Sequence, residues 1–154
     1  MEIIYKLNTI KDTQRIAEAL SKHLYGAVIL LSGDIGAGKT TFASFFINAL
    51  LEIPQNITSP TFPIIQSYNS VNGIIYHLDL YRIETLQELS QLGLEEILLQ
   101  TCLIEWAEKL GSYAPKHFVK ISIFNESAGR KMAISFSKKY EDIFIKIQQE
   151  LAKQ

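Results

Sequence analysis

The residues best equipped for chemistry stand in one run of eight, Gly33-Asp34-Ile35-Gly36-Ala37-Gly38-Lys39-Thr40, where glycines at the first and sixth places precede a lysine and a hydroxyl residue. That spacing, G-x-x-x-x-G-K-[ST], suits the cradling of a phosphate. The glycines let the backbone turn with its N–H groups converging, and a helix starting directly behind the loop adds the positive end of its dipole. Lys39 then reaches the β- and γ-phosphates of a nucleotide, and the Thr40 hydroxyl binds Mg²⁺.

A hydroxyl alone leaves such a metal short of ligands and leaves an attacking water without orientation, so a further acid is required. Two acids close apolar runs: Asp79 follows Ile74-Ile75-Tyr76-His77-Leu78, and Glu105 follows Cys102-Leu103-Ile104. At the carboxyl ends of strands in an α/β sheet, side chains face the ligand crevice. Each acid by itself reads equally well as a solvated strand-end carboxylate; beside the glycine loop, at least one is expected to serve the metal. His77 alternates with Tyr76 and Leu78, which favours a hydrogen-bonded structural histidine over a general base. Arg82 either neutralises phosphate charge or pairs with an acid, and Trp106 either caps the core or stacks on a partner.

These groups need a scaffold, and the pattern supplies one. Ala27 to Leu31 reads as a strand entering the loop and Thr40 to Leu51 as the helix leaving it. Before them, Glu2 to Leu7 reads as a strand and about Ile10 to Leu24 as a helix, opened by Thr9 with Asp12 in a capping-box position. Asn56 to Pro63, with prolines at 60 and 63, is a loop placed where nucleotide hydrolases carry a segment that senses the γ-phosphate, and Thr61 offers a hydroxyl there. Ile64 to Tyr68 and Gly73 to Leu80 form a hairpin across the turn Asn69 to Gly73. Leu86 to Leu99 is helical with a break at Gly93, and Gln100 to Trp106 is a buried strand. Lys116 to Phe124 and Lys131 to Ser137 are antiparallel strands joined by the turn Asn125 to Arg130, and Glu141 to Ala152 is a closing helix. The expected fold is α/β: a single P-loop NTPase domain over 1–154, its sheet mixed, mostly parallel at the centre, with antiparallel strands added and helices alongside.

Composition removes several function classes. A length of 154 residues, 47% of them hydrophobic and 20% charged, fits one soluble domain. A net charge of -1 argues against general electrostatic binding of nucleic acid. The single cysteine, Cys102, lies in an apolar run and reads as core packing, and no Cys/His set has metal spacing. With no basic leader and no 18-residue apolar run, a cytoplasmic protein without membrane or DNA partners is expected. No Asn-Lys-x-Asp motif supports guanine recognition, which favours ATP over GTP. Three arginines, Arg15, Arg82 and Arg130, are few for the arginine-bearing lid of a small-molecule kinase.

Taken jointly, Gly33 to Thr41, Ser59-Pro60-Thr61-Phe62, His77-Leu78-Asp79-Leu80-Tyr81-Arg82 and Ile104-Glu105-Trp106 resemble, in order and spacing, the TsaE family over nearly the whole chain. These are bacterial P-loop ATPases of tRNA threonylcarbamoyladenosine biosynthesis. The resemblance implies an ATPase working with the proteins TsaB and TsaD on adenosine 37 of tRNA, touching tRNA only indirectly and not itself the transferase. It matches Lys39 and Thr40 to the phosphate and Mg²⁺ residues, Glu105 to a metal-associated glutamate, Asp79 to the aspartate of the second motif, and Thr61 to a switch-like segment. Gly129-Arg130 resembles, less closely, a Gly-Arg pair whose arginine lies near the base.

The expected site therefore has Lys39, Asp79 and Glu105 as catalytic residues and Thr40, Glu105 and Asp79 around Mg²⁺. Asp34, Ile35, Gly36, Ala37, Gly38, Lys39, Thr40, Thr41, Thr61 and Arg130 are expected against ATP or ADP. The alternatives are a nucleotide-gated regulatory module, in which binding and not hydrolysis acts on partners, and a small-molecule kinase.

Overall fold

A computed structural model describes residues 1–62 and 64–153. The glycine loop is carried by a seven-stranded sheet of order β1-β7-β6-β2-β5-β4-β3. The strands are β1 (Glu2–Leu7), β2 (Val28–Ser32), β3 (Ile65–Ser70), β4 (Gly73–Asp79), β5 (Thr101–Glu105), β6 (Val119–Asn125) and β7 (Arg130–Phe136). Strands β6, β2, β5 and β4 run parallel to their neighbours at the centre, whereas β1, β7 and β3 pair antiparallel. The mixed, centrally parallel α/β sheet expected from the pattern is the one observed.

Strand β2 is apolar at four successive positions because both of its faces are covered. One face meets α1 (Ile10–Ser21), α2 (Lys39–Asn48) and α5 (Glu141–Ala152) through a core that includes Ile16, Leu20, Ile29, Leu31, Phe42 and Phe46. The opposite face, built from Val28, Leu30, Leu78 and Ile104, packs on the short helices α3 (Leu86–Ser90) and α4 (Leu94–Ile97) and on a 3₁₀ segment, Ala107–Tyr113. Cys102 is buried in this second core, and burial pushes its thiol far above the usual range, as befits a packing residue. Among the described residues, no helix is long and apolar enough to cross a membrane.

Several element boundaries differ from the pattern's. Helix α1 stops at Ser21 and α2 at Asn48, three residues short of the expected ends, because Leu24, Leu50 and Leu51 keep packing on the core after the helical backbone has turned away. At the start of α1, Asp12 accepts hydrogen bonds from the N–H groups of Thr9 and Asn8 at 2.9 and 2.8 Å, the acidic half of the capping box. The hairpin turn between β3 and β4 is only Val71-Asn72, since pairing continues to Ser70 and Gly73. Gly93 does break the helical stretch, with φ of 72°, but what remains on either side is short. Strand β5 ends at Glu105, and Trp106 leaves it at φ 57°. Pro63, part of the expected loop, lies outside the described residues, as does Gln154.

Candidate nucleotide and metal site

Strand alternation decides which side chains meet. Leu78 on β4 and Leu80 just past its end enter the second core while Ile75 belongs to the first, so His77 and Asp79 face the side of the sheet that carries α2. On β5, Leu103 faces the same way, and Glu105 follows it two residues later. The parallel register sets Asp79 beside Glu105 and His77 beside Leu103. Helix α2 starts at Lys39 directly behind the loop from β2, which delivers Thr40 to the same corner.

The loop needs its glycines at two places. Gly33 has φ 144°, and a Cβ there would lie 2.5 Å from the Ile123 carbonyl oxygen of β6, so the turn passes too close to the neighbouring strand for any side chain. Gly38 has φ 116° and caps α2, with Arg130 Nη1 3.1 Å from where its Cβ would project.

A cleft of about 430 Å³ opens here, lined by Ile35, Gly36, Gly38, Lys39, Thr40, Thr41, Ser59, Thr61, Asp79, Tyr81, Glu105, Trp106 and Arg130. Lys39 is only 5% exposed; its ammonium donates to the Gly33 and Asp34 carbonyls and lies 4.6 Å from the Trp106 ring centroid. Thr40 Oγ1 donates to Glu105 Oε1 at 2.8 Å, and Glu105 Oε2 is 2.6 Å from His77 Nε2. Asp79 is held from the loop instead: Ser59 and Thr61 hydroxyls donate to Oδ2, the latter at 2.8 Å, while the Tyr81 N–H donates to Oδ1 at 2.9 Å. The backbone seals this arrangement, since the Asp79 N–H donates to the Ile64 carbonyl and the Leu80 N–H to that of Glu105.

The structure thus brings Ile35, Gly36, Gly38, Lys39, Thr40, Thr41, Thr61, Asp79, Glu105 and Arg130 to one cleft. Asp34 and Ala37 stand apart from its lining: the Asp34 side chain is exposed and Ala37 is buried, and Asp34 contributes its backbone carbonyl. Arg82 is exposed, stacked 3.8 Å from the ring centroid of Phe62, away from the cleft lining. Ser59 and Tyr81 line the cleft without having been singled out by the pattern; the Ser-Pro-Thr spacing around Ser59 was the available signal. Trp106 stacks within the chain, tilted against Tyr81 at 5.1 Å.

These residues fit a nucleotide with a divalent cation. No group of three or more His, Cys, Asp and Glu side chains able to cage a metal occurs among the described residues. Magnesium is ordinarily held by one or two protein oxygens together with substrate phosphates, and the Thr40–Glu105 pair is of that kind. The buried ammonium of Lys39, hydrogen-bonded among the described residues to carbonyls of the loop it would help to fill, is free to exchange those partners for phosphate oxygens.

The model of the family described as "Threonylcarbamoyl adenosine biosynthesis protein TsaE" matches residues 7–132. The chain is 42% identical over 104 residues to the tRNA threonylcarbamoyladenosine biosynthesis protein TsaE of Rickettsia felis, covering 66% of this chain and 61% of that one. It is also 42% identical over 100 residues to the protein of the same name from Bacillus subtilis, covering 64% and 61%. The match to the Rickettsia bellii protein is 36% over 119 residues, 76% of this chain and 83% of that one. The chain spans about three fifths of the length of the first of these relatives. The crystal structure of Bacillus subtilis YdiB aligns with a TM-score of 0.78 at 29% identity, covering 97% of this chain and 96% of the other.

Proposed function

The chain belongs to the TsaE family, and from that premise we propose that it is a Mg²⁺-dependent ATPase acting in threonylcarbamoyladenosine modification of tRNA adenosine 37. The observation that carries this reading is the hydrogen bond from Thr40 to Glu105 at the mouth of the glycine loop, with Lys39 buried beside it. A P-loop hydroxyl joined to a strand-end carboxylate is what a phosphate-bound magnesium requires of a protein.

Lys39 moves its ammonium from the Gly33 and Asp34 carbonyls to the β- and γ-phosphates, and the loop amides enclose them. Thr40 and Glu105 would hold Mg²⁺, with Asp79 the further acid at the same strand ends; bound there, the metal supplies charge neutralisation on the phosphates. Asp79 orients the attacking water. Its second role is mechanical: through Ser59 and Thr61 it ties the loop before β3 to the reacting end of the site, so a change at the γ-phosphate is felt on the surface. Arg130, which lines the cleft with Nη1 beside Gly38, would lie near the nucleotide base.

TsaB and TsaD are the proposed partners, with tRNA approached only through them. The test is a reconstituted modification reaction containing both partners, tRNA, threonylcarbamoyl donor and this chain. Multiple rounds of modification are expected with ATP and one round or fewer with a nonhydrolysable analogue. Equal multi-round yields with both nucleotides would show that binding alone gates the partners.

A further inference from the structure

Glu105 has two carboxylate oxygens, and the structure divides them between different elements. Oε1 takes the Thr40 hydroxyl of α2, and Oε2 lies 2.6 Å from His77 Nε2 on the adjacent strand β4. Both partners of the second contact are buried, His77 at 0% and Glu105 at 3% exposure. An ionised carboxylate only accepts hydrogen bonds, so Nε2 carries the proton that it donates. The other ring nitrogen, Nδ1, has no hydrogen-bond partner among the described residues. A bare lone pair tolerates such a place better than an N–H does, and this agrees with the proton sitting on Nε2.

The need for this contact follows from the register. Asp79 and Glu105 are direct neighbours across parallel strands, so two carboxylates share one corner. Each has its own set of donors: the loop hydroxyls and the Tyr81 N–H on Asp79, His77 and Thr40 on Glu105. Without His77, Oε2 would be a buried acceptor without a donor, and the glutamate would turn to find one.

We propose that His77 is a positioning residue: its Nε2–H fixes the rotation of the Glu105 carboxylate, keeping Oε1 aimed at Thr40 and at the seat of the divalent cation. The inference rests on the reading of Thr40 and Glu105 as the metal-side pair. It assigns His77 no proton transfer.

The test measures ADP binding with Mg²⁺ and with EDTA for wild type, His77→Leu and His77→Gln, beside thermal melts. In wild type, Mg²⁺ tightens ADP binding. His77→Leu loses about tenfold or more of that tightening while its affinity in EDTA is unchanged, and His77→Gln, which keeps an N–H donor, returns to within about threefold of wild type. A wild-type Mg²⁺ response in His77→Leu overturns the proposal, and so does equal impairment of both variants in parallel with their melting points. Absence of any Mg²⁺ response in wild type overturns the metal reading of Thr40 and Glu105 itself, and this inference with it. Should the variants fail to fold, ¹⁵N-histidine spectra of wild type decide: the Nε2–H tautomer is expected for His77, and an Nδ1–H tautomer is the contradicting result.

Discussion

Gly33 stands where the chain leaves β2 and brushes the Ile123 carbonyl of β6, and its φ of 144° is one that side chains rarely adopt. A methyl group there meets backbone, which cannot swing aside. Gly33→Ala is therefore expected to cost about 2 kcal/mol or more, lowering Tm by at least roughly 4 °C. Gly26 is the control: its φ is 78° but nothing lies within 4 Å of an added Cβ, so Gly26→Ala should cost only about 1 kcal/mol from the backbone. Denaturant titrations of the two variants separate close approach from simple strain. At this scale the sequence was most readable where spacing encodes a shared backbone shape, as in Gly33 to Thr40, and at acids that end apolar runs, as with Asp79 and Glu105. Tyr81 was not readable, because its N–H reaches Asp79 Oδ1 only through the turn that follows β4.

Among the elements, α5 was foreseen to its last residue, whereas α1 and α2 were drawn too long. The reason is physical: Leu24, Leu50 and Leu51 are apolar because they pack, and packing continues past the last helical hydrogen bond. At the surface α5 is tied to the turn that follows α1 by Glu150, which accepts from Lys22 at 2.7 Å and meets His23 at 3.0 Å. These hydrogen bonds, that from Lys22 foremost, hold the Glu150 carboxyl below its ordinary range. Because the folded value lies below the unfolded one of about 4.3, the stabilisation is complete above that pH and is lost as pH falls through the lowered folded value. Glu150→Gln should be less stable than wild type by about 0.5 kcal/mol at neutral pH, and the gap should close at acid pH, below the lowered folded value. Urea titrations at the two pH values check it.

The tie between the loop before β3 and Asp79 also belongs to this scale. Ser59 and Thr61 are 20 and 18 residues from Asp79 in sequence yet share its Oδ2. Replacing both hydroxyls, Ser59→Ala with Thr61→Val, should leave ADP affinity within about threefold, since neither hydroxyl is a phosphate cradle amide. It should abolish the difference between ATP- and ADP-loaded protein in pull-down of the proposed partners. Retention of that difference would detach the loop from nucleotide sensing.

For the whole molecule, the sheet order places β2 between β5 and β6, so the glycine loop emerges between the strand that ends in Glu105 and the strand that supports Gly33. The parallel centre was expected with the strand, glycine loop and helix around Gly33 to Thr40. The order of strands was not legible: the turn between β6 and β7 marks their antiparallel pairing, but nothing in β6 reveals that its other edge pairs parallel with β2. The site is then a product of the order: moving β5 from β2 would part Glu105 from Thr40. The chemistry proposed for this corner is ATP hydrolysis in the service of TsaB and TsaD. Phosphate release from ATP, measured with TsaB, TsaD and Mg²⁺ for wild type and Lys39→Ala, tests it most directly. Turnover is predicted in wild type and a fall of about 10²-fold or more in the variant. Wild type without turnover, or a Lys39→Ala variant that matches it, contradicts the account.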